Sequence, residues 1–148
     1  MHAAPHPDAH SAAFWDGLRR HEVLVQHCGT CGCDFLPHVP ACPGCGSRRL
    51  SVRPVRGTGT VYSWVGVHRA LSADPPVDVP YAIATVDLDT GVSRGSAAPR
   101  PGGSVDRIAC RMFGRLLPPE AVAIGLAVEP HFIDHDAWAE LAFRPRRS

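Results

Sequence analysis

The pattern of apolar and polar positions divides the chain into a short helical start, a cysteine-rich centre and a long β-patterned remainder. In FWDGLRR, Phe14 and Leu18 lie four residues apart and share one helical face, with Trp15 beside them. Gly17 weakens such a helix by about 1 kcal/mol relative to Ala, and so short a helix persists only when packed. Phe14, Trp15 and Leu18 are therefore read as anchors, onto the protein's own domain or onto a partner. Residues 23–27, VLVQH, read as a strand leading into the cysteines. From Val52 onward the pattern is β throughout. Residues 52–68 read as one long strand bent at Gly57 and Gly59, because glycines inside a strand pattern mark bulges or sharp bends. Further strands are predicted over 81–89, 107–116, 126–134 and 137–145, with a turn at 118–125. Two loops separate them, a proline-rich one at 71–80 and a turn-rich, mobile one at 90–106. About five strands thus follow the cysteine region, which predicts a mainly β protein. Residues 1–12, rich in Ala, His, Pro and Asp, read as a disordered tail.

The centre carries the chemistry. Cys28 and Cys31 form one C-x-x-C hook, and Cys42 and Cys45 form a second after a ten-residue spacer. Two such hooks supply the four close, soft ligands that tetrahedral zinc requires. Gly32 and Gly46 follow the last cysteine of each hook, where the chain must turn with positive φ. The expected cofactor is one structural Zn2+, and a chelator is expected to unfold residues 28–46. Iron is the competing ion, because four thiolates hold it too; a red protein would reveal it. Disulfides are not expected in a chain with no export signal, and the βαβ context of a redox C-x-x-C pair is missing. Cys33 is read as a bystander and Cys110 as a buried free thiol. His27 and His38 flank the ligands, but four cysteines already complete the site.

Composition adds exclusions. The 148 residues are 45% hydrophobic and 20% charged, which fits an ordinary globular chain of one or two domains. The net charge of +1 argues against a dedicated nucleic-acid binder, which must neutralise many phosphates. All 15 basic residues are arginine. Arg48, Arg49, Arg53 and Arg56 cluster after the second hook, and strand alternation would point Arg53 and Arg56 to opposite faces. The cluster is read as solvated surface, as a phosphate contact, or as a nucleic-acid contact. Tyr62 and Trp64, two apart, are read as one face of the bent strand and as barrel core; base stacking is the alternative. His68 is read as a surface or hydrogen-bonding residue. No nucleophile with a nearby base is visible, and a four-cysteine zinc leaves no open position for catalysis. Asp87, Asp89 and Glu129 are read as strand-end and surface carboxylates, so the chain is expected to be non-catalytic by itself. No apolar stretch approaches the roughly 20 residues of a membrane helix, and the start lacks the pattern of a secretory signal. The expected location is the cytoplasm.

The order FWDGL, VLVQHC, CGTCG, FLPHVPAC, CPGCGS, RGTGTVYSW, PYAIATVDL, AVAIGLAVE resembles a family that joins a rubredoxin-like zinc ribbon to an OB-fold and accompanies acyl-CoA and thiolase-type enzymes. The resemblance spans roughly Phe14 to Arg144. It implies residues 13–50 as helix and ribbon, and 51–148 as a five-stranded OB-fold-like barrel. It also implies an accessory subunit that forms a hetero-oligomer with a thiolase-fold enzyme and helps to hold or pass acyl-CoA, with Arg48, Arg49, Arg53 and Arg56 as candidate contacts to its phosphates. Members are also associated with nucleic acid, so an OB-fold single-strand binder is the alternative. The chain departs from the family pattern at Val52 and Thr90, where an aromatic and an acidic residue are usual.

Overall fold

A computed structural model describes residues 4–70, 78–91 and 109–147. Both predicted loops, 71–80 and 90–106, lie largely outside these residues. The chain runs through helix α1 (Ala12–Arg19) and strands β1 (Val23–Cys28), β2 (Asp34–Phe35) and β3 (Leu50–Val55). Then follow β4 (Gly59–Val67), β5 (Tyr81–Leu88), β6 (Arg111–Leu116), a 3-10 turn at Pro119–Ala121, β7 (Ala127–Asp134) and β8 (Ala139–Pro145). The fold is mainly β, with one short N-terminal helix.

Two sheets result. The first is a small antiparallel ribbon in the order β2-β1-β3. The second is a closed barrel in the order β4-β5-β6-β8-β7, with β7 returning to β4. Its pairs are antiparallel apart from β6 and β8, which run parallel. Five strands closed in this Greek-key order are an OB-fold barrel. On β5 every second residue is buried, and Ala82, Ala84, Val86 and Leu88 point inward. They meet Val61, Leu116, Val128, Leu141 and Phe143 in a core that also takes in Phe14, Leu18, Val23 and Val25. One strand, β1, therefore serves both units: its first residues enter the barrel core and its last, Cys28, enters the ribbon.

The single bent strand expected over 52–68 is two strands in different sheets. All of β3 pairs with β1, from Leu50 opposite Cys28 to Val55 opposite Val23. The chain then turns at Gly57 (φ 76°) and starts the barrel at Gly59. A Cβ on Gly57 would stand 3.0 Å from Pro130 and from Val23, so this crossing needs glycine for space as well as for its backbone angle.

The helix is held from both ends. Ahead of it, the Asp8 carboxylate accepts from the backbone N–H groups of His10 (3.0 Å) and Ser11 (2.7 Å). Behind it, Glu22 N–H bonds to the Gly17 carbonyl and His21 N–H to that of Leu18, both at 2.9 Å. This is a Schellman motif with His21 (φ 58°) in the left-handed position that glycine usually takes. The His21 ring stacks on Phe132 at 4.8 Å, and its Nε2 lies 2.8 Å from Asp134, which ties α1 to β7. Gly17 has a further reason. A Cβ there would stand 2.8 Å from the Leu24 side chain, so glycine lets α1 lie close on β1.

Candidate metal centre and the arginine surfaces around it

The two hooks are built alike. In the first, Gly32 N–H donates to the Cys28 carbonyl (2.9 Å) and Cys28 N–H to the Cys33 carbonyl (2.9 Å). In the second, Gly46 N–H donates to the Cys42 carbonyl (2.8 Å) and Cys42 N–H to the Ser47 carbonyl (2.8 Å). Gly32 and Gly46 have φ of 75° and 76°, as their place in the sequence predicts. Each turn aims backbone N–H groups at sulfur: Thr30 N–H lies 3.4 Å from Cys28 Sγ, and Gly44 N–H lies 3.3 Å from Cys42 Sγ. Such donors stabilise thiolate over thiol.

The hooks face each other. Cys28 Sγ lies 3.6 Å from Cys45 Sγ, and Cys31 Sγ lies 3.6 Å from Cys42 Sγ; all four sulfurs lie within 4.8 Å of one another. A tetrahedron with Zn–S bonds of about 2.3 Å has edges of roughly 3.8 Å. The donor set and its spacing therefore fit zinc held by Cys28, Cys31, Cys42 and Cys45. Without a cation, burial pushes the Cys31 and Cys42 thiols up to about 12. Burial opposes ionisation of Cys28 as well, yet the N–H groups of Cys31 and Thr30 hold its thiol down, to about 6. Four thiolates so close together require a metal charge, and with all four engaged the ion has a structural role.

The flanking residues have other tasks. Cys33 offers its carbonyl to the first hook, in the place that Ser47 fills in the second. His38 Nε2 bonds to the Leu24 carbonyl at 2.8 Å, and Gln26 Oε1 accepts from Val39 N–H at 2.7 Å; both fasten the spacer to β1. His27 Nδ1 lies 2.7 Å from Asp34 Oδ1. Cys110 is buried, and burial pushes its thiol up to about 12.

The four arginines do not act as one cluster. Arg48 and Arg49 are exposed at the end of the ribbon. Arg53 grips the buried Asp34 with a two-pronged fork, Nε to Oδ1 at 3.1 Å and Nη2 to Oδ2, and Nη2 also donates to the Thr90 carbonyl at 2.7 Å. Arg53, one of the four candidate phosphate contacts, thus has its guanidinium engaged in joining β2, β3 and the segment that follows β5. Burial would raise the Asp34 carboxyl, but Arg53 and His27 hold it below the usual carboxylate range. Arg56 instead lies on a pocket wall that Arg53 shares. The expected opposite facing fails because β3 ends at Val55 and Gly57 turns the chain. The pocket's third arginine, Arg146, follows β8. Sequence reasoning missed it, since nothing local in RPRR signals a neighbour 90 residues away.

The aromatic expectations also change. Phe14 and Leu18 are only 7% and 1% exposed and belong to the protein's own core, so neither is free to meet a partner. Trp15 is half-buried and meets Trp138 edge-on at 6.2 Å. Tyr62 and Trp64, expected in the core, are 52% and 46% exposed. A register shift between Val61 and Ser63 makes Tyr62 a bulge, so the two aromatics no longer share a face. Tyr62 lies under the Arg111 guanidinium, 3.6 Å from ring centroid to Cζ. Phe113 on β6, which the sequence did not single out, is the most exposed aromatic described, at 65%. The three carboxylates each have a partner: Asp87 pairs with Arg111 (2.6 Å), Glu129 with Arg144 (3.0 Å), and Asp89 accepts from Thr58 Oγ1 (3.5 Å). His68 is exposed. No described helix is long and apolar enough to cross a membrane.

A rubredoxin-like ribbon carrying one structural zinc, joined through a shared strand to an OB-fold barrel, defines the class of this protein. Family models agree: residues 15–51 match the ChsH2 rubredoxin-like zinc ribbon domain, and residues 52–132 match the ChsH2 C-terminal OB-fold domain. The chain belongs to the ChsH2 family. It is 34% identical over 95% of its length to the 3-oxo-4,17-pregnadiene-20-carboxyl-CoA hydratase alpha subunit of Mycobacterium tuberculosis, and covers 39% of that protein. It is 28% identical over 90% of its length to a probable enoyl-CoA hydratase alpha subunit of Thermomonospora curvata, covering 37%. The chain thus spans about two fifths of the curated relatives it matches. Among solved structures, a chain of an Ltp2–ChsH2(DUF35) aldolase superposes with a TM-score of 0.74 at 24% identity, covering 96% of this chain and 98% of that one. A DUF35 protein of unknown function from Sulfolobus solfataricus gives 0.56 at 14% identity, covering 90% and 83%. Both show the fold.

Proposed function

We propose that this chain is a zinc-stabilised accessory subunit that partners a thiolase-fold enzyme and assists the binding or transfer of acyl-CoA. The observation that supports this reading is the four-cysteine cluster, whose sulfurs all lie within 4.8 Å of one another and whose donor set leaves a bound zinc no open position for substrate. Asp87, Glu129 and Glu140 are each paired with an arginine. The relatives supply the context: two are named as alpha subunits of hydratases of CoA thioesters, and the superposed chain comes from an Ltp2–ChsH2(DUF35) aldolase. The thiolase-like nature of the partner rests on the resemblance to thiolase-associated members. The barrel also offers exposed apolar side chains at Tyr62, Val65 and Phe113, suited to burial against another protein.

The alternative, a single-strand nucleic-acid binder, draws on those same exposed aromatics. It is weakened because Arg111, Arg115 and Arg144 are neutralised by Asp87, Glu140 and Glu129, which interrupts any basic track along the barrel. Affinity capture of the tagged chain from its host, with proteins and nucleic acid both identified, tests the two readings. Near one-to-one recovery of a thiolase-fold enzyme is expected. Recovery of nucleic acid alone, lost as salt is raised, replaces the accessory reading with the binder.

A further inference from the structure

Between β3 of the ribbon and the barrel ends of β5 and β8 lies a pocket of about 440 Å³, within the usual range of roughly 300–1,000 Å³ for small-molecule sites. Three arginines line it, from three separate stretches of chain: Arg53, Arg56 and Arg146. Arg53 is neutralised by Asp34 and helps to fix the Thr90 wall. Arg56 and Arg146 form no ion pair among the described residues. Among the described residues, the one carboxylate on the wall is Asp89, exposed and in contact with the Thr58 hydroxyl. Two uncompensated guanidinium groups against one carboxylate leave the pocket positive, and guanidinium forks match phosphate oxygens in pairs. Pro54 and Val55 add an apolar wall of the kind that a ribose or base would cover.

We infer that this pocket binds the phosphorylated nucleotide end of a CoA thioester, with Arg56 and Arg146 holding phosphate. The inference rests on the acyl-CoA reading above and gives it a site. A bare phosphate ion would fill only a small part of the pocket, so a nucleotide-sized anion suits it better. A nucleic-acid strand suits it less, because Arg111, Arg115 and Arg144 of the barrel are already paired with carboxylates. The pocket also explains why the ribbon is fastened to the barrel through Arg53 and Thr90: that link keeps the two walls of the site in register.

The test is calorimetric titration of the zinc-loaded full chain with CoA, inorganic phosphate and a single-stranded oligonucleotide, for the native protein, Arg56→Ala/Arg146→Ala and Asp89→Asn. Native protein is expected to bind CoA more tightly than the other two. The double variant should lose about tenfold or more in CoA affinity, the scale of one lost charged hydrogen bond. Asp89→Asn should tighten CoA binding by removing the opposing charge. Unchanged CoA affinity in a double variant with full zinc content overturns the site, as does phosphate binding as tightly as CoA, or a preference for the oligonucleotide. Should the double variant misfold, Asp89→Asn alone decides: no gain in affinity overturns the proposal. The two readings fail separately. A chain that captures its enzyme but whose CoA affinity ignores Arg56 and Arg146 has lost only the pocket. One that binds CoA here yet captures no enzyme has lost only the accessory role.

Discussion

The ribbon and the barrel are both small β-structures, but they are held together by different physics. Around its sulfurs the ribbon buries Cys28, Phe35 and Cys42, whereas the core shared by helix, β1 and barrel buries fifteen described side chains. A sheet with so little apolar burial cannot offset the entropy of ordering its loops. Zinc closes that gap, since structural zinc contributes about 10–16 kcal/mol to folding in comparable small sites. The barrel needs no such ion because its strands close on themselves and fill the interior with side chains. The comparison shows a division of labour along one strand: the start of β1 is stabilised by packing, its end by a metal.

The sharpest way to break this comparison is to take the metal away. Chelation, or Cys42→Ala, is expected to free the amides of residues 28–49 to exchange with solvent while β4 to β8 stay protected. Hydrogen exchange read strand by strand checks this, and simultaneous loss in the barrel would make the two regions one cooperative unit. Next in size is Phe143→Ala. It empties the centre of the barrel and should cost about 3–5 kcal/mol in denaturant unfolding, with zinc content of the folded fraction unchanged. The seam between the regions is tested by Arg53→Met, which strands the buried Asp34 carboxylate and should cost about 3 kcal/mol at neutral pH.

The same seam has a pH signature. The Asp34 carboxyl is lowered in the folded protein from an ordinary value of 3.8. A depressed carboxyl contributes stability above its unfolded value, and loses it as pH falls through the folded one. Native protein should therefore lose stability below about pH 4, and Asp34→Asn should flatten that acid limb. The smallest effect is expected at Tyr62→Ala. It removes the contact with Arg111 on the barrel surface and should cost about 0.5–1 kcal/mol by thermal or denaturant unfolding.

Legibility followed the same division. The zinc site could be read in full, because its information is local: two cysteines three apart, a glycine after each pair, a spacer to bring the pairs together. The strands of the barrel could be read as strands, as with the strict alternation of β5. Their partners could not. The break at Gly57 was read as a bend because a glycine that bends a strand and one that sends it to another sheet look alike in sequence. Tyr62 and Trp64 were read as core because the alternation was extended through a bulge that pairing with β5 alone creates. The arginines were grouped by closeness along the chain, whereas the fold commits Arg53 to Asp34 and places Arg56 beside Arg146.

By itself, then, the sequence determined the metal, its four ligands, the mainly β character and the helix face of Phe14 and Leu18. These depend on spacings of a few residues, over which backbone geometry leaves little choice. Only the tertiary structure decided which sheet β3 joins, that β1 serves two cores, which aromatics face solvent, and that Arg56 and Arg146 share one pocket. Those outcomes depend on strand register and barrel closure, which bring residues tens of positions apart into contact, and no local pattern encodes them.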